Sequence, residues 1–193
     1  MANKGYEAEE RVVRLLEKAG KRYNFTRLDG SCQTIQIDRI LTCGKTTRSK
    51  ADIILNSQTR LQVKSRASNR AAIVNMARID KLENLGRREM LDVAPIFQAI
   101  ENFRTMGRST ARLSELSDKE EWREFLLYFL FEGTTMSQTH PNFQATHLLD
   151  VDGDNWLLIQ KNEAVDYLWN KLHIEIRHRG KNANACLHVR VGK

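Results

Sequence analysis

Residues 50 to 65 read Lys-Ala-Asp-Ile-Ile-Leu-Asn-Ser-Gln-Thr-Arg-Leu-Gln-Val-Lys-Ser. No other stretch constrains the fold as tightly. Residues 51–55 and 60–65 are β-type runs, and the polar residues between them predict a short turn. Strand side chains alternate between two faces, so Gln62 and Lys64, two residues apart, share one face. The first run presents Asp52. A carboxylate, an amide oxygen and an ammonium gathered at one sheet edge can hold a hard cation and activate a water. Asp52, Gln62 and Lys64 are therefore the first candidate site residues.

The rest of the chain supplies the frame. Residues 6–19 predict a helix with Gly20 as its stop signal. Strands are expected over 22–28 and 32–41, followed by a polar, basic loop over 44–49. Residues 69–84 predict a helix broken by Gly86, and residues 91–103 a second. Ser117 and Glu120 have capping-box spacing, opening a helix through Trp122, Phe125, Leu126 and Phe129. Residues 145–151 and 155–160 predict a hairpin across Asp152-Gly153-Asp154. A helix over 162–172 and a strand pair over 173–179 and 185–191 complete the chain. The expectation is one α/β domain of 193 residues. It has a mixed central sheet flanked by helices, and a β-rich C-terminal part.

Composition excludes some classes and favours another. No apolar run approaches the roughly 18 residues of a membrane-spanning helix, and the N-terminus lacks the apolar segment of a secretory signal. The three cysteines, Cys32, Cys43 and Cys186, are odd in number and lack close metal-ligand spacing. They read as reduced thiols of a cytoplasmic protein. The net charge is +7. Residues 45–70 hold seven basic side chains, Lys45, Arg48, Lys50, Arg60, Lys64, Arg66 and Arg70, against the single acid Asp52, a net +6. A solvated face is the ordinary reading of such a run. Here it surrounds the candidate site, which favours a polyanion such as DNA.

The first helix contributes a further acid. At roughly 100° per residue, Tyr6, Val12, Val13 and Leu16 fall on the same side as Glu9. A carboxylate near the middle of an apolar stripe needs a partner, either an arginine at the helix edge or a cation or lysine of the site. The segment from Lys4-Gly5 through Glu9-Glu10-Arg11 to Gly20 resembles the N-terminal helix of the archaeal Holliday-junction resolvases. The strand–turn–strand from Asp52 to Lys64 resembles the core of the PD-(D/E)XK nuclease superfamily, to which type II restriction endonucleases also belong. The resemblance spans roughly residues 4 to 66. It implies a restriction-endonuclease-like fold, with the catalytic core at about residues 4–90 and the remainder, about 91–193, serving dimerisation and DNA reading. It implies catalytic roles for Glu9, Asp52, Gln62 and Lys64. It implies Mg²⁺ held by Asp52, the Gln62 oxygen and the backbone carbonyl of Val63, with Glu9 on a second ion or a water. Lys64 would steer the attacking water. Two positions depart from the pattern. Ala51 stands where the motif has proline. Gln62 stands where it has Glu or Asp, which removes one negative charge.

Other clusters weigh less. Ser65, Arg66, Ser68, Asn69 and Arg70 follow the second strand and suit phosphate contacts, with a helix cap as the ordinary alternative. Arg177, Arg179, Lys181 and Asn182 lie at a basic hairpin tip that suits a DNA groove. Asp150-Val-Asp152-Gly-Asp154 begins like a calcium loop, but its twelfth place is Lys161 rather than Glu. The leading expectation is a Mg²⁺-dependent, sequence-specific endonuclease of the type II restriction class, acting on double-stranded DNA as a homodimer without a membrane. The alternatives are a structure-specific junction resolvase and a non-catalytic DNA-binding module.

Overall fold

The structure is a computed structural model that describes residues 4–43, 49–65, 71–134, 137–179 and 184–192. It is an α/β fold, and its contacts divide the chain into two compact units. The first comprises residues 1–69, 130–133 and 138–164, and the second residues 70–129, 134–137 and 165–193.

The first unit opens with α1, Lys4–Ala19. Ala8, Val12 and Leu16 are its buried stripe, while Glu7, Glu10 and Arg11 face water. Gly20, at φ +78°, closes the helix as its amide donates to the Leu16 carbonyl at 3.2 Å. That left-handed conformation is cheap only without a Cβ. Seven strands form a mixed sheet: β1 Arg22–Thr26, β2 Cys32–Gln36, β3 Leu41–Thr42, β4 Ile53–Ile54, β5 Arg60–Ser65, β8 His147–Asp152 and β9 Asn155–Gln160. Their order is β2-β1-β9-β8-β5-β4-β3, with β1/β9 and β5/β8 parallel and the other pairs antiparallel. Val12 and Leu16 pack into one core with Ile53, Leu61, Val63 and Leu149. The apolar face of β5 is thus buried with α1, and the alternation places Gln62 and Lys64 on its other face.

The expected strand over 32–41 is divided in two. The Asp38 and Arg39 amides both donate to the Leu55 carbonyl, at 3.0 and 3.1 Å, and bend the chain between β2 and β3. The expected hairpin forms as β8 and β9, joined through Gly153 at φ +57°.

The second unit contains a four-stranded antiparallel sheet in the order β6-β11-β10-β7, from β6 Ala72–Arg78, β7 Ala111–Arg112, β10 Leu172–Arg179 and β11 Asn184–Val191. The β-rich C-terminal part is therefore present. Helices α2 Leu82–Glu89, α3 Ala94–Thr105 and α4 Lys119–Leu127 accompany it. Helix α5, Lys161–Leu168, starts in the first unit and ends in the second.

Three local expectations are corrected here. The helix foreseen over 69–84 is, where described, the strand β6, a tight turn over Ile79–Lys81 and the start of α2. Gly86 does not break the helix but lies inside α2. A Cβ there would meet the Leu91 carbonyl oxygen at 2.9 Å and the Val93 methyls at 3.0 Å, so a close approach requires glycine. The helix stops instead at Met90, which takes a left-handed φ of +55°. The capping box of α4 also falls one residue later than its spacing suggested: the Asp118 amide donates to the Glu121 carboxylate at 3.1 Å. Among the described residues, no helix is long and apolar enough to cross a membrane.

Candidate active site

The site is built where β4 separates from β5. The two strands pair only at Ile53↔Leu61 and Ile54↔Arg60. The Asp52 amide makes one more contact, donating to the Leu61 carbonyl at 2.7 Å. Beyond it, the side chain of Asp52 replaces the missing strand. Its Oδ2 accepts from the Val63 amide at 2.7 Å and from the Gln62 Nε2 at 2.6 Å. In an extended strand, the N–H and C=O of one residue point to the same edge. The Val63 carbonyl therefore faces the same edge as the Asp52 carboxylate, past the end of β4.

This arrangement accounts for Gln62. An ionised carboxylate only accepts hydrogen bonds, so the amide must turn its NH₂ toward Asp52. Its carbonyl Oε1 then faces away from Oδ2. A Glu at this position would set two anions against each other without a cation. Gln62 is buried, 6% exposed, so the contact has little water to relieve it.

Three further charged groups act on the same point. Glu9, on the first half of α1, is partly buried. Burial, followed by the nearby Asp52 charge, raises its pKa to about 7, with Lys64 opposing. Burial raises Asp52 above the usual carboxylate range, while Lys64, the two hydrogen bonds and Lys50 pull it back. Burial lowers the Lys64 ammonium, and Asp52 and Glu9 counteract this. Lys50 is pushed down to about 7 by burial and by the Lys64 charge, against the pull of Asp52. Two acids and two lysines therefore share one partly desolvated region.

The segment carrying Lys50 and Asp52 is anchored by one carbonyl. Phe143 O accepts from the Lys50 amide at 3.0 Å and from the Ala51 amide at 2.9 Å. The Ser49 hydroxyl donates to the Ala51 carbonyl at 2.7 Å. Ala51 is fully buried, at the position where the motif has proline. On the other side of β5, the parallel register places Asp150 beside Lys64, and Asp150 is 5% exposed.

The structure thus brings together Glu9, Asp52, Gln62, Val63 and Lys64, and adds Lys50, which sequence reasoning placed only among DNA contacts. Its spacing of two from Asp52 was the available signal. Asp150 was read only as the start of a calcium-like loop, and its place beside Lys64 comes from the β5/β8 register. Ser65 is buried at the end of β5. Arg177 belongs to the second unit, where its Nε donates to Glu175 at 2.8 Å, and Arg190 bonds to the same carboxylate. Lys45, Arg48, Arg66, Ser68, Asn69, Arg70, Lys181 and Asn182 lie outside the described residues, as does the side chain of Arg179.

The donor set suits a hard divalent cation. Mg²⁺ takes oxygen ligands and uses one or two carboxylates. Asp52 and the Val63 carbonyl present oxygens at one edge, the Gln62 amide would join them by turning its oxygen in place of the NH₂ that it now gives Asp52, and Glu9 is a second carboxylate within their field. Two carboxylates both raised by burial are groups that a cation would relieve. Among the described residues, no three His, Cys, Asp or Glu side chains cluster as ligands. The candidate set is instead carboxylate, amide and carbonyl. Comparison with known protein families, curated proteins and solved structures finds no match.

Proposed function

We propose that this chain is a Mg²⁺-dependent, sequence-specific DNA endonuclease that hydrolyses phosphodiester bonds in the manner of type II restriction enzymes. The observation that carries the reading is the convergence of Asp52, Gln62 and Lys64 at one strand edge, with Glu9 in the same electrostatic field. A bound Mg²⁺ would supply Lewis-acid charge at the scissile phosphate. Asp52 and Gln62 provide oxygens for it, and the Val63 amide fixes the Asp52 carboxylate. The Lys64 ammonium orients the attacking water and stabilises negative charge as it grows on the phosphoryl oxygens. Glu9 is placed to hold a water or to share the cation. The basic residues around the site favour arrival of DNA. One such site cuts one strand, so a duplex break calls for a symmetric pair of chains.

A second reading rests on α1. The Lys4-Gly5 to Glu9-Glu10-Arg11 pattern resembles the junction resolvases, and Glu9 does share the field of Asp52 and Lys64. Incubation with Mg²⁺, a plasmid and a four-way junction separates the readings. Discrete plasmid fragments with fixed terminal sequences are expected. Symmetric nicks confined to the junction would favour the resolvase. Salt-sensitive binding with no cleavage of either substrate would leave only a binding module.

A further inference from the structure

The turn that anchors the Asp52 segment carries side chains that the hydrolytic site does not use. Residues Pro141–Phe143 form a tight helical turn. The Phe143 amide donates to the His140 carbonyl at 2.8 Å, and the Gln144 amide to the Pro141 carbonyl at 3.3 Å. The Gln144 side chain donates to the Thr139 carbonyl at 3.1 Å and ties the two ends of the turn together. Pro141 adds stiffness by fixing its own φ. Outside the turn, the Phe143 carbonyl accepts from the Lys50 and Ala51 amides, and from the Ser49 hydroxyl at 3.3 Å. Ala51 directly precedes Asp52, so the Phe143 carbonyl lies within roughly 7 Å of the Asp52 backbone, about two strand rises. A stiff turn is thus fastened to the segment that presents the candidate metal ligand.

His140, Pro141, Asn142 and Phe143 are all exposed, Phe143 by 40%. The His140 and Phe143 rings meet edge to face, with centroids 6.3 Å apart. His140 Nδ1 accepts from the Asn142 amide at 3.3 Å. An accepting ring nitrogen carries no proton, so the imidazole proton is on Nε2, at the far end of the ring. The exposed Asn142 side chain offers an amide donor and an amide oxygen. A single exposed apolar side chain is ordinary. Here an aromatic face, an imidazole N–H and a carboxamide are gathered on one stiff frame. Those three groups match the surfaces of a purine base. A ring stacks on its face, an N–H donates to N7, and a carboxamide pairs with the N6 donor and N7 acceptor of adenine. None of them is the arginine or lysine that a phosphate contact calls for.

We propose that His140, Asn142 and Phe143 form a base-reading turn that contacts a purine beside the scissile phosphate and sets part of the cleavage sequence. The inference rests on the endonuclease reading above and names residues that give it sequence preference. Phe143 has two parts in it: its carbonyl holds the Asp52 segment, and its ring packs on the base.

Sequencing the ends that wild type leaves on a plasmid library with Mg²⁺ defines the cleaved site. Affinity is then measured with Ca²⁺ in place of Mg²⁺, for a duplex of that site and for duplexes with single base pairs replaced within three positions of the cut. Asn142 is exposed, so its truncation leaves the fold intact. Asn142→Ala should lower discrimination at one position by roughly 5- to 150-fold, the scale of one bidentate base contact, and preserve it elsewhere. Phe143→Ala, which keeps the anchoring carbonyl, should weaken binding of the intact site by a factor in the same range, roughly 5- to 150-fold, through lost stacking. Both variants should keep the wild-type slope of log affinity against log salt, since no phosphate contact is lost. Unchanged discrimination at every position in Asn142→Ala, beside a wild type that cuts at a fixed sequence, would overturn the inference and leave the endonuclease reading intact. So would a reduced salt slope in either variant, which marks a phosphate contact instead. A wild type that neither binds nor cuts DNA would overturn both.

Discussion

Replacing Gln62 by Glu tests the central contact of the site from the stability side. The Gln62 Nε2 lies 2.6 Å from Asp52 Oδ2 in a buried position. The substitution deletes a hydrogen bond to a charged group, a loss of about 1.5–3 kcal/mol. It also brings two carboxylates together. At an effective dielectric of about 20, charges about 3.5 Å apart repel by about 5 kcal/mol. Proton uptake limits that cost, because one acid of such a pair stays protonated well above its ordinary pKa. A net destabilisation of about 2–4 kcal/mol is expected at pH 8 in EDTA. For a chain of this size that lowers the melting temperature by roughly 5–15 °C. The sign with pH follows from the raised folded-state pKa of the new acid. Its protonated form fits, so the deficit should shrink below pH 5 and grow as pH rises toward and through the folded pKa. Millimolar Mg²⁺ should raise the melting temperature of the variant more than that of wild type, since the cation replaces the lost donor. Thermal melts of both proteins at pH 5 and pH 8, with EDTA or Mg²⁺, read all of this. Equal stability of the two at pH 8 in EDTA would refute the proposed role of the amide.

Two further substitutions follow from the same physics. Glu9→Gln should stabilise the chain at pH 8 by about 1–2 kcal/mol once its partial exposure is discounted. The Glu9 pKa is raised from 4.5 to about 7, so its favourable contribution is present below pH 4.5 and is lost as pH rises through 7. Urea melts at pH 4.5 and 8 should show the two proteins diverging only at the higher pH; parallel behaviour would contradict the burial of Glu9 near Asp52. Gly86→Ala should cost about 1–3 kcal/mol, because its Cβ meets the Leu91 carbonyl oxygen at 2.9 Å. A neutral or stabilising result in a urea melt would show that the turn after α2 yields easily.

What the sequence disclosed depended on how local its causes were. Helix α1 was legible from its glycine stop and from Val12 and Leu16 at helical spacing, both fully buried in the fold. Strand β5 was legible to the residue, since Arg60–Ser65 alternates and follows a polar turn. Strand β6 was not. Its buried residues Ile73, Val74 and Ala77 have the spacing of a helix face. Here that pattern arises in a strand, where Met76 takes a φ of +59° and the pairing with β11 shifts register. Such an irregularity is set by the partner strand, and a single sequence does not display the partner. Gly86 misled for a related reason: the need for glycine came from Leu91 and Val93 folding back onto it, not from a helix end.

The candidate site divides along the same line. Asp52, Gln62 and Lys64 were readable from spacing, because two adjacent strands bring them together. Glu9 was readable as an acid on an apolar stripe, and the first helix brings it into the field of Asp52 and Lys64. Lys50 was seen as charge without a place. What positions it is the Phe143 carbonyl, more than ninety residues further along the chain. Asp150 reaches the flank of Lys64 only through the parallel β5/β8 register, which no local pattern announces.

The measurement that tests the account most directly is cleavage of a plasmid library by wild type, Asp52→Asn and Lys64→Ala, beside their affinity for the same DNA. Wild type with Mg²⁺ should produce discrete fragments, and EDTA should abolish them. Both variants should lose cleavage by at least about 100-fold, the scale of removing one preorganised charge from a transition state, while DNA affinity stays within a few-fold of wild type. Cleavage at the wild-type rate by either variant would contradict the assignment of the site.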